Sequence, residues 1–458
     1  MADNLVFVQY YLDCLSQASY LIGDRASGRA VVVDPRRDTG VYLADTAALG
    51  LTVEWVIETH VHADFLSGHL ELAEATGARI GYGAAAEVDF PVERLADRRR
   101  ISLGTVDLEI LHTPGHTPES ICVLVREHAD DLVPHGVLTG DTLFLGDVGR
   151  PDLLGANGWT ADKLARALYR STRERLLTLP DETRVFPAHG AGSACGKNLS
   201  TETTGTIGEQ RRTNYALAPM SEDEFVNAVC EGQTLAPMYF AYASVRNRES
   251  RPIFDEHAPV RALSGADADR LCADGAVLLD TRDPEEFAAG HLVGAINVGL
   301  GGRYAEFAGE VLRAENAIVL VSAPGTAVEA RNRLARIGFD RVLGAVDASV
   351  FTGEQTARRV RPYEVWLGAQ IVDVRGPGEV RVSGAIPGAI LLPLPAFAAH
   401  MGTLDPARPT VVYCAGGYRS SIAASVLRAH GFAEVADLVG GFAAWQKSRR
   451  PVTRPDAA

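Results

Sequence analysis

The sequence is short of cysteine, of basic charge and of long apolar runs, and each shortage removes a class of protein. Six cysteines (Cys14, Cys122, Cys195, Cys230, Cys272 and Cys414) are scattered through 458 residues with no Cys-x-x-Cys pair. That spacing argues against a disulfide framework and against a structural zinc knuckle. It fits a cytoplasmic protein with one or two reactive thiols. No apolar run approaches the roughly 20 residues that a membrane-spanning helix needs, so no membrane partner is expected. The first ten residues lack the basic-then-apolar pattern of a secretory signal, and Asp3 and Asp13 stand where a transit peptide would be basic. The formal charge is −14 and the pI is near 5.4. Such a chain repels polyphosphate, so nucleic acid is not an expected partner. The cluster Arg98, Arg99 and Arg100 reads as a solvated loop.

What is present is ordinary soluble-protein composition, 47% hydrophobic and 22% charged. At roughly 150 residues per domain, the length suggests about three domains. Residues 5–243 alternate strand and helix patterns. "RAVVVDP" (29–35) is a β-branched run stopped by proline, hence a buried strand. "SGHLELAEATG" has helical spacing closed by Gly77. "TVEWVIETHVHADF", "VDLEILHTPGHTPES", "GVLTGDTLF" and "TRVFPAHGAGS" each read as an apolar strand whose end carries His or Asp. Residues 246–259 are charged and contain proline, which reads as a linker or domain boundary. The expected segments are therefore 1–245, a linker at 246–261, 262–355 and 360–458.

The last two segments are copies of one pattern. "AVLLDTRDPEEFAAGHLVGAINVGL" (276–300) matches "AQIVDVRGPGEVRVSGAIPGAILLPL" (369–394): a strand ending in Asp-x-Arg, a turn, then Gly-Ala-Ile before another strand. "AIVLVSAPGTAVEARNRLARIGF" matches "TVVYCAGGYRSSIAASVLRAHGF": a strand, a glycine-containing loop, an amphipathic helix and a Gly-Phe stop. This βα alternation implies a small parallel-sheet domain present twice, and a repeat of roughly 90 residues fits duplication better than a solenoid.

Two constellations carry chemistry. In "THVHADFLSGH", His60, His62 and Asp64 would point to one side if the chain stays extended past its strand. His116, Asp141 and His189 follow at later strand ends. Any one of them alone is most simply a satisfied polar residue. Six together suit a zinc or iron site, since neutral imidazoles and a carboxylate are ligands for both. The second constellation is "YCAGGYRSS" (413–421), where a strand turns into a helix. Such a turn aims backbone N–H groups into the loop, and the helix dipole adds positive potential there. A cysteine at Cys414 has its thiolate favoured. Gly416, Gly417 and Tyr418 surround it, and Arg419 adds positive charge. Cys414 and Arg419 are the candidate catalytic pair.

The first pattern resembles the metallo-β-lactamase superfamily, whose hallmark is His-x-His-x-Asp-His with later His, Asp and His. The resemblance implies an αββα sandwich with metal at the strand ends. The chain departs from the hallmark at Phe65, where the final His would help to hold a second metal. Phenylalanine has no lone pair, which disfavours the two-metal logic of the hydrolases. The segment is then similar to the persulfide dioxygenase branch, which implies one Fe(II) per chain held by His60, His116 and Asp141. That triad leaves open coordination positions for a substrate sulfur and dioxygen. His62, Asp64 and His189 become supporting groups, with His62 an alternative direct ligand. "GDVGRPDL" and "HGAGSACGK" look like segments of the same branch. In them, Arg150 either pairs with a carboxylate of the thiol carrier or forms a salt bridge. Cys195 is either a thiol near the metal or a small packed residue.

The second pattern and the Asp-x-Arg repeats resemble rhodanese over 262–450, which implies two α/β domains with parallel sheets flanked by helices. The first copy lacks the cysteine, with Val321 or Ser322 at the equivalent point, and reads as silent. The second copy has Ala385 where the first has His291, so that histidine is not needed beside Cys414. Together the resemblances imply oxidation of a low-molecular-weight persulfide with O2 to sulfite and thiol, coupled to transfer of sulfane sulfur that forms thiosulfate or delivers persulfide, in detoxification of sulfide. They also imply a homo-oligomer, a dimer or tetramer. Glutathione, coenzyme A and cysteine all stay open as the carrier. The rivals are a dinuclear thioester hydrolase of the glyoxalase II type and a non-enzymatic sulfur-binding protein.

Overall fold

A computed structural model describes residues 4–153, 159–233, 235–350, 355–366 and 368–454. Residues 351–354 at the end of the expected 262–355 segment, and 455–458 at the end of 360–458, lie outside those described. The chain divides into two compact units. The first comprises residues 1–233 and 240–256, and the second comprises 234–239 and 257–458.

Among the described residues, the first unit holds two six-stranded sheets, each in sequential strand order. One runs Leu5–Leu12, Gln17–Asp24, Arg29–Val33, Thr52–Ile57, Arg79–Gly83 and Glu93–Leu95. The other runs Arg100–Ser102, Asp107–His112, Ile121–Arg126, Gly136–Gly140, Arg184–Pro187 and Gly205–Thr206. Side chains alternate across each strand. In Arg29–Val33, Val31 and Val33 enter the core between the sheets, while Ala30 and Val32 face the outer layer. In Ile121–Arg126, Ile121, Val123 and Val125 face inward, and Cys122 and Leu124 face out. Helices Gly40–Leu49 and His69–Thr76 cover one outer face, and Ala161–Ser171 and Glu222–Cys230 cover the other. Both faces of each sheet are therefore buried, which explains continuous apolar runs instead of clean alternation. The layers stack as αββα.

The segment read as a linker does more than connect. Asn247 and Arg251 are buried, and Arg251 pairs with Glu71 at 2.8 Å. The charge of Arg251 is met by a buried carboxylate, and 240–256 belong to the first unit. The arginine cluster is likewise paired: Arg98 with Glu109, Arg99 with Glu93 and Arg100 with Asp107.

Among the described residues, the second unit holds two parallel sheets. One runs Ile296–Asn297, Val277–Asp280, Ile318–Ser322 and Val342–Asp347. The other runs Arg358–Val360, Val435–Leu438, Thr410–Tyr413, Gln370–Asp373 and Ile390–Leu391. The repeated Asp-x-Arg is one device used twice. Arg282 clasps Asp280 and donates to the Gly290 carbonyl at 2.9 Å. Arg375 clasps Asp373 and donates to the Gly384 carbonyl at 2.7 Å. Each fork ties a strand end to the turn that follows the next short helix, the kind of planar bidentate contact arginine makes. No helix among the described residues is long and apolar enough to cross a membrane.

Candidate functional site

The strand Thr52–Ile57 ends before the histidines, so His60, His62 and Asp64 sit in a bent segment instead of an extended one. The expected one-sided alternation does not apply. All three are buried, but they face different partners.

His60 and His116 both direct Nε2 at Asp141 Oδ2, at 3.8 and 3.4 Å. The ligating atoms of the three residues lie within 4.8 Å of one another. Both tautomers are set from behind. Thr59 Oγ1 donates to Asp34 Oδ2 at 2.8 Å, so its oxygen accepts from His60 Nδ1–H at 3.0 Å. His116 Nδ1–H donates to the Arg150 carbonyl at 2.8 Å. Each Nε2 therefore keeps its lone pair for the shared centre, as ligating histidines require. Burial, with His62 beside it, pushes the His60 pKa well down, so the ring stays neutral. Asp141 Oδ2 is buried without a hydrogen-bond partner, a costly state for a carboxylate oxygen unless a cation completes it. Two imidazole lone pairs and one orphaned carboxylate oxygen form a donor set that suits a divalent iron or zinc ion.

The supporting residues occupy two further clusters. His62 Nε2 faces Asp34 Oδ1 at 3.1 Å and Glu58 Oε2 at 3.3 Å, while its ring lies 4.1 Å from that of His60. Burial lowers its pKa, but the two carboxylates outweigh that and hold it well above the usual value. Glu58 is shared with His69 at 3.1 Å. Phe65 is buried, with its ring 4.4 Å from the His62 ring. In the other cluster, His189 lies between Asp141 Oδ1 at 2.7 Å and Asp64 Oδ2 at 2.6 Å. Burial pulls its pKa down, yet the flanking carboxylates push it up to about 10. Cys195 Sγ lies beside Asp64 and His189, within the same 4.8 Å limit, and burial pushes its thiol well up.

Sequence reasoning left Arg150 between two roles. Its guanidinium forms a fork on Asp152 at 2.7 and 2.8 Å and donates to the Ala194 carbonyl, so it serves a salt bridge. Several residues of this site were missed. Asp34 accepts the Thr59 N–H at 2.7 Å, Glu119 accepts the Val61 N–H at 3.0 Å, and Asn247 donates to the His62 and Phe65 carbonyls. Asp34 ends an apolar strand, as the metal-facing residues do, and that was its signal. Asn247 had none, because it sits in a charged stretch. Gly149, within "GDVGRPDL", admits a close backbone approach. A Cβ there would lie 2.0 Å from the Asp141 carbonyl oxygen and 3.0 Å from His116 Nδ1.

In the second unit, strand Thr410–Tyr413 delivers Cys414, and helix Tyr418–Ala429 begins four residues later. Gly417 caps the helix with φ of 108° and donates its N–H to Cys414 Sγ at 3.0 Å. Ser420 Oγ lies 3.6 Å from the same sulfur. The backbone cradle expected from the sequence is present at Gly417. Arg419 does not stand free beside the thiol: it forks onto Glu379 at 2.7 Å through both Nη atoms. Tyr418 turns to the other repeat, where its hydroxyl donates to the Gly299 and Gly301 carbonyls. In the first repeat Ser322 is buried at the strand end, with no thiol in the following loop. His291 stacks on Phe287 and donates to its carbonyl.

The geometry agrees with comparisons to known proteins. The profile of the metallo-beta-lactamase superfamily matches residues 12–189, and that of the rhodanese-like domain matches 264–349 and 364–448. The mitochondrial persulfide dioxygenase of Homo sapiens is 31% identical over 212 residues, 45% of this chain and 74% of that protein. A probable metallo-hydrolase of Burkholderia pseudomallei is 31% identical over 244 residues, 45% of this chain and 79% of that protein. The crystal structure of a metallo-beta-lactamase from Staphylococcus aureus superposes with a TM-score of 0.67 at 32% identity, covering 75% of this chain and 99% of that one. The chain belongs to the metallo-β-lactamase superfamily, is related there to the persulfide dioxygenases, and carries two rhodanese-like domains after that fold.

Proposed function

We propose that this protein oxidises a low-molecular-weight thiol persulfide with O2 to sulfite and free thiol at a single iron site, and moves sulfane sulfur through Cys414. The observation that carries the first half is the convergence of His60 Nε2, His116 Nε2 and the orphaned Asp141 Oδ2. These three residues would hold one Fe(II). When bound, the iron would offer open coordination positions at which persulfide sulfur and O2 meet. The chain's own residues do the rest. Thr59 and the Arg150 carbonyl fix the imidazole tautomers, and His189 holds Asp141 from its other oxygen. Asp64 orients His189 in turn. Burial of the whole cluster excludes bulk water, which strengthens each of these contacts.

At Cys414, the Gly417 N–H donates to the sulfur and helix Tyr418–Ala429 opens beside it, a setting that would hold the persulfide formed there. Residues 1–245, 262–355 and 360–458 would act as dioxygenase, silent repeat and transferase. Joining the sites in one chain raises the effective concentration of one product at the other. The cluster Asp64, His189 and Cys195 favours a second reading, a two-metal thioester hydrolase. Phe65 against His62 weighs against it. Zinc and iron stoichiometry, with persulfide-dependent O2 uptake and thioester hydrolysis assayed side by side, separates the two.

A further inference from the structure

The silent repeat has lost its nucleophile but keeps a cavity of about 600 Å³ at the corresponding place, within the range of small-molecule sites. Thr281, Arg282 and Asp283, directly after strand Val277–Asp280, form one wall, and Ala323, directly after Ile318–Ser322, forms another. Ligands of open parallel sheets bind at such carboxyl ends. The cavity is bolted to the Cys414 loop. Tyr418, the residue after Gly417, lines it and donates to the Gly299 and Gly301 carbonyls on its rim. Nearby, the Asn297 N–H donates to Ser425 Oγ of the Cys-bearing helix at 2.9 Å. Tyr418 thus joins the cavity to the helix start at which Gly417 cradles the Cys414 sulfur.

The lining selects a chemistry. Leu300, the half-buried Phe307 and Tyr418 supply apolar surface, with the two rings edge-on at 5.4 Å. Arg282, forked onto Asp280, and Arg303, paired with Glu306, present guanidinium groups, and Asp283 and Glu286 present carboxylates. Helix Ala327–Ala335 opens at Thr326, another lining residue, whose hydroxyl donates to the Ala323 carbonyl and does not cap the helix. The first N–H groups of the helix suit a carboxylate. Mixed charge around a short apolar body matches a zwitterionic amino-acid or peptide thiol better than a polyphosphate-bearing carrier.

We infer that this cavity holds the organic end of an amino-acid- or peptide-type persulfide while its outer sulfur passes to Cys414. The inference rests on the sulfur-transfer reading of Cys414. In the step, the Cys414 thiolate attacks the outer sulfur of R–S–SH. The donor S–S bond breaks, its electron pair leaves with R–S⁻, and the proton stays on the transferred sulfur as Cys414–S–SH. Reversal of the same step loads a thiol acceptor.

The test uses the full chain with cyanide as acceptor and two donors, glutathione persulfide and thiosulfate. Gly301→Leu and Thr326→Trp place bulk in the cavity. Gly301 has open space where a side chain would stand and no left-handed φ, so the first change carries no backbone strain. Both should raise KM for glutathione persulfide about tenfold and hold kcat within about twofold, the signature of lost ground-state binding. kcat/KM for thiosulfate should stay within about twofold in both variants. Equal losses with both donors, or an unchanged KM for the persulfide in both variants, would overturn the assignment. A wild-type chain inactive with both donors would instead sink the reading of Cys414. Calorimetric titration with S-methylglutathione separates the two failures, because it reads the cavity without turnover. Binding that both variants weaken about tenfold supports the cavity, and unchanged binding overturns it.

Discussion

Asp147 is a buried carboxylate that fastens the loop behind the metal-facing residues, and its removal gives a measurable outcome. Oδ1 accepts the Val148 N–H at 2.9 Å and the Tyr215 hydroxyl at 2.8 Å. Oδ2 accepts the N–H groups of Lys197 and Asn198 at 2.8 and 2.7 Å. Three of these bonds reach across the chain, and hydrogen bonds to a charged group contribute about 1.5–3 kcal/mol each. Asn198 is exposed and Lys197 half-buried, so water can replace the carboxylate there, and the sum must be discounted. Asp147→Ala should cost the first unit about 3–5 kcal/mol. For a unit of this size that lowers its melting temperature by about 6–20 °C. Differential scanning calorimetry should show the transition of the first unit moving down while that of the second stays in place. The same loop carries the Arg150 carbonyl that orients His116, so iron affinity should fall about 10–100-fold. A shift under about 3 °C with full iron content would refute the reasoning.

Other outcomes follow from the same geometry. Gly149→Ala forces a methyl group against the Asp141 carbonyl and His116, so purified protein should lose its metal and its O2 uptake while Cys414-dependent transfer to cyanide persists. Gly417→Ala places a side chain on a backbone with φ of 108°, at a strain of about 1–2 kcal/mol. It should lower thiosulfate:cyanide turnover about tenfold or more and leave O2 uptake unchanged. Phe65→His restores a lone pair beside His62, and elemental analysis should show added zinc with reduced O2 uptake per chain.

The sequence exposed the donors better than the path of the chain between them. Four strand ends bearing His or Asp predict a metal centre, and the structure brings His60, His116 and Asp141 together. It also sends His62 to Asp34 and Glu58, because the backbone bends after Ile57 and strand periodicity stops there. Local pattern cannot reveal such a bend. Asp34, Glu119 and Asn247 stayed unassigned because their partners lie far along the chain, up to 185 residues apart for Asn247 and His62, and Glu58 because its pairing with His62 and His69 needs the bend after Ile57. The duplication was easy to read, since Asp-x-Arg makes the same local fork in each copy. The positive charge assigned to Arg419 was only half the account, because Glu379 reaches it from a helix 40 residues earlier.

The central claim is one iron ion held by two histidines and one aspartate that turns over persulfide with O2. Anaerobic purification, metal analysis and O2 uptake with glutathione persulfide test it together. The account predicts about one iron per chain, uptake abolished by His116→Ala, and uptake retained in Cys414→Ala with a changed ratio of thiosulfate to sulfite. Two zinc ions per chain with no persulfide-dependent O2 uptake would contradict it.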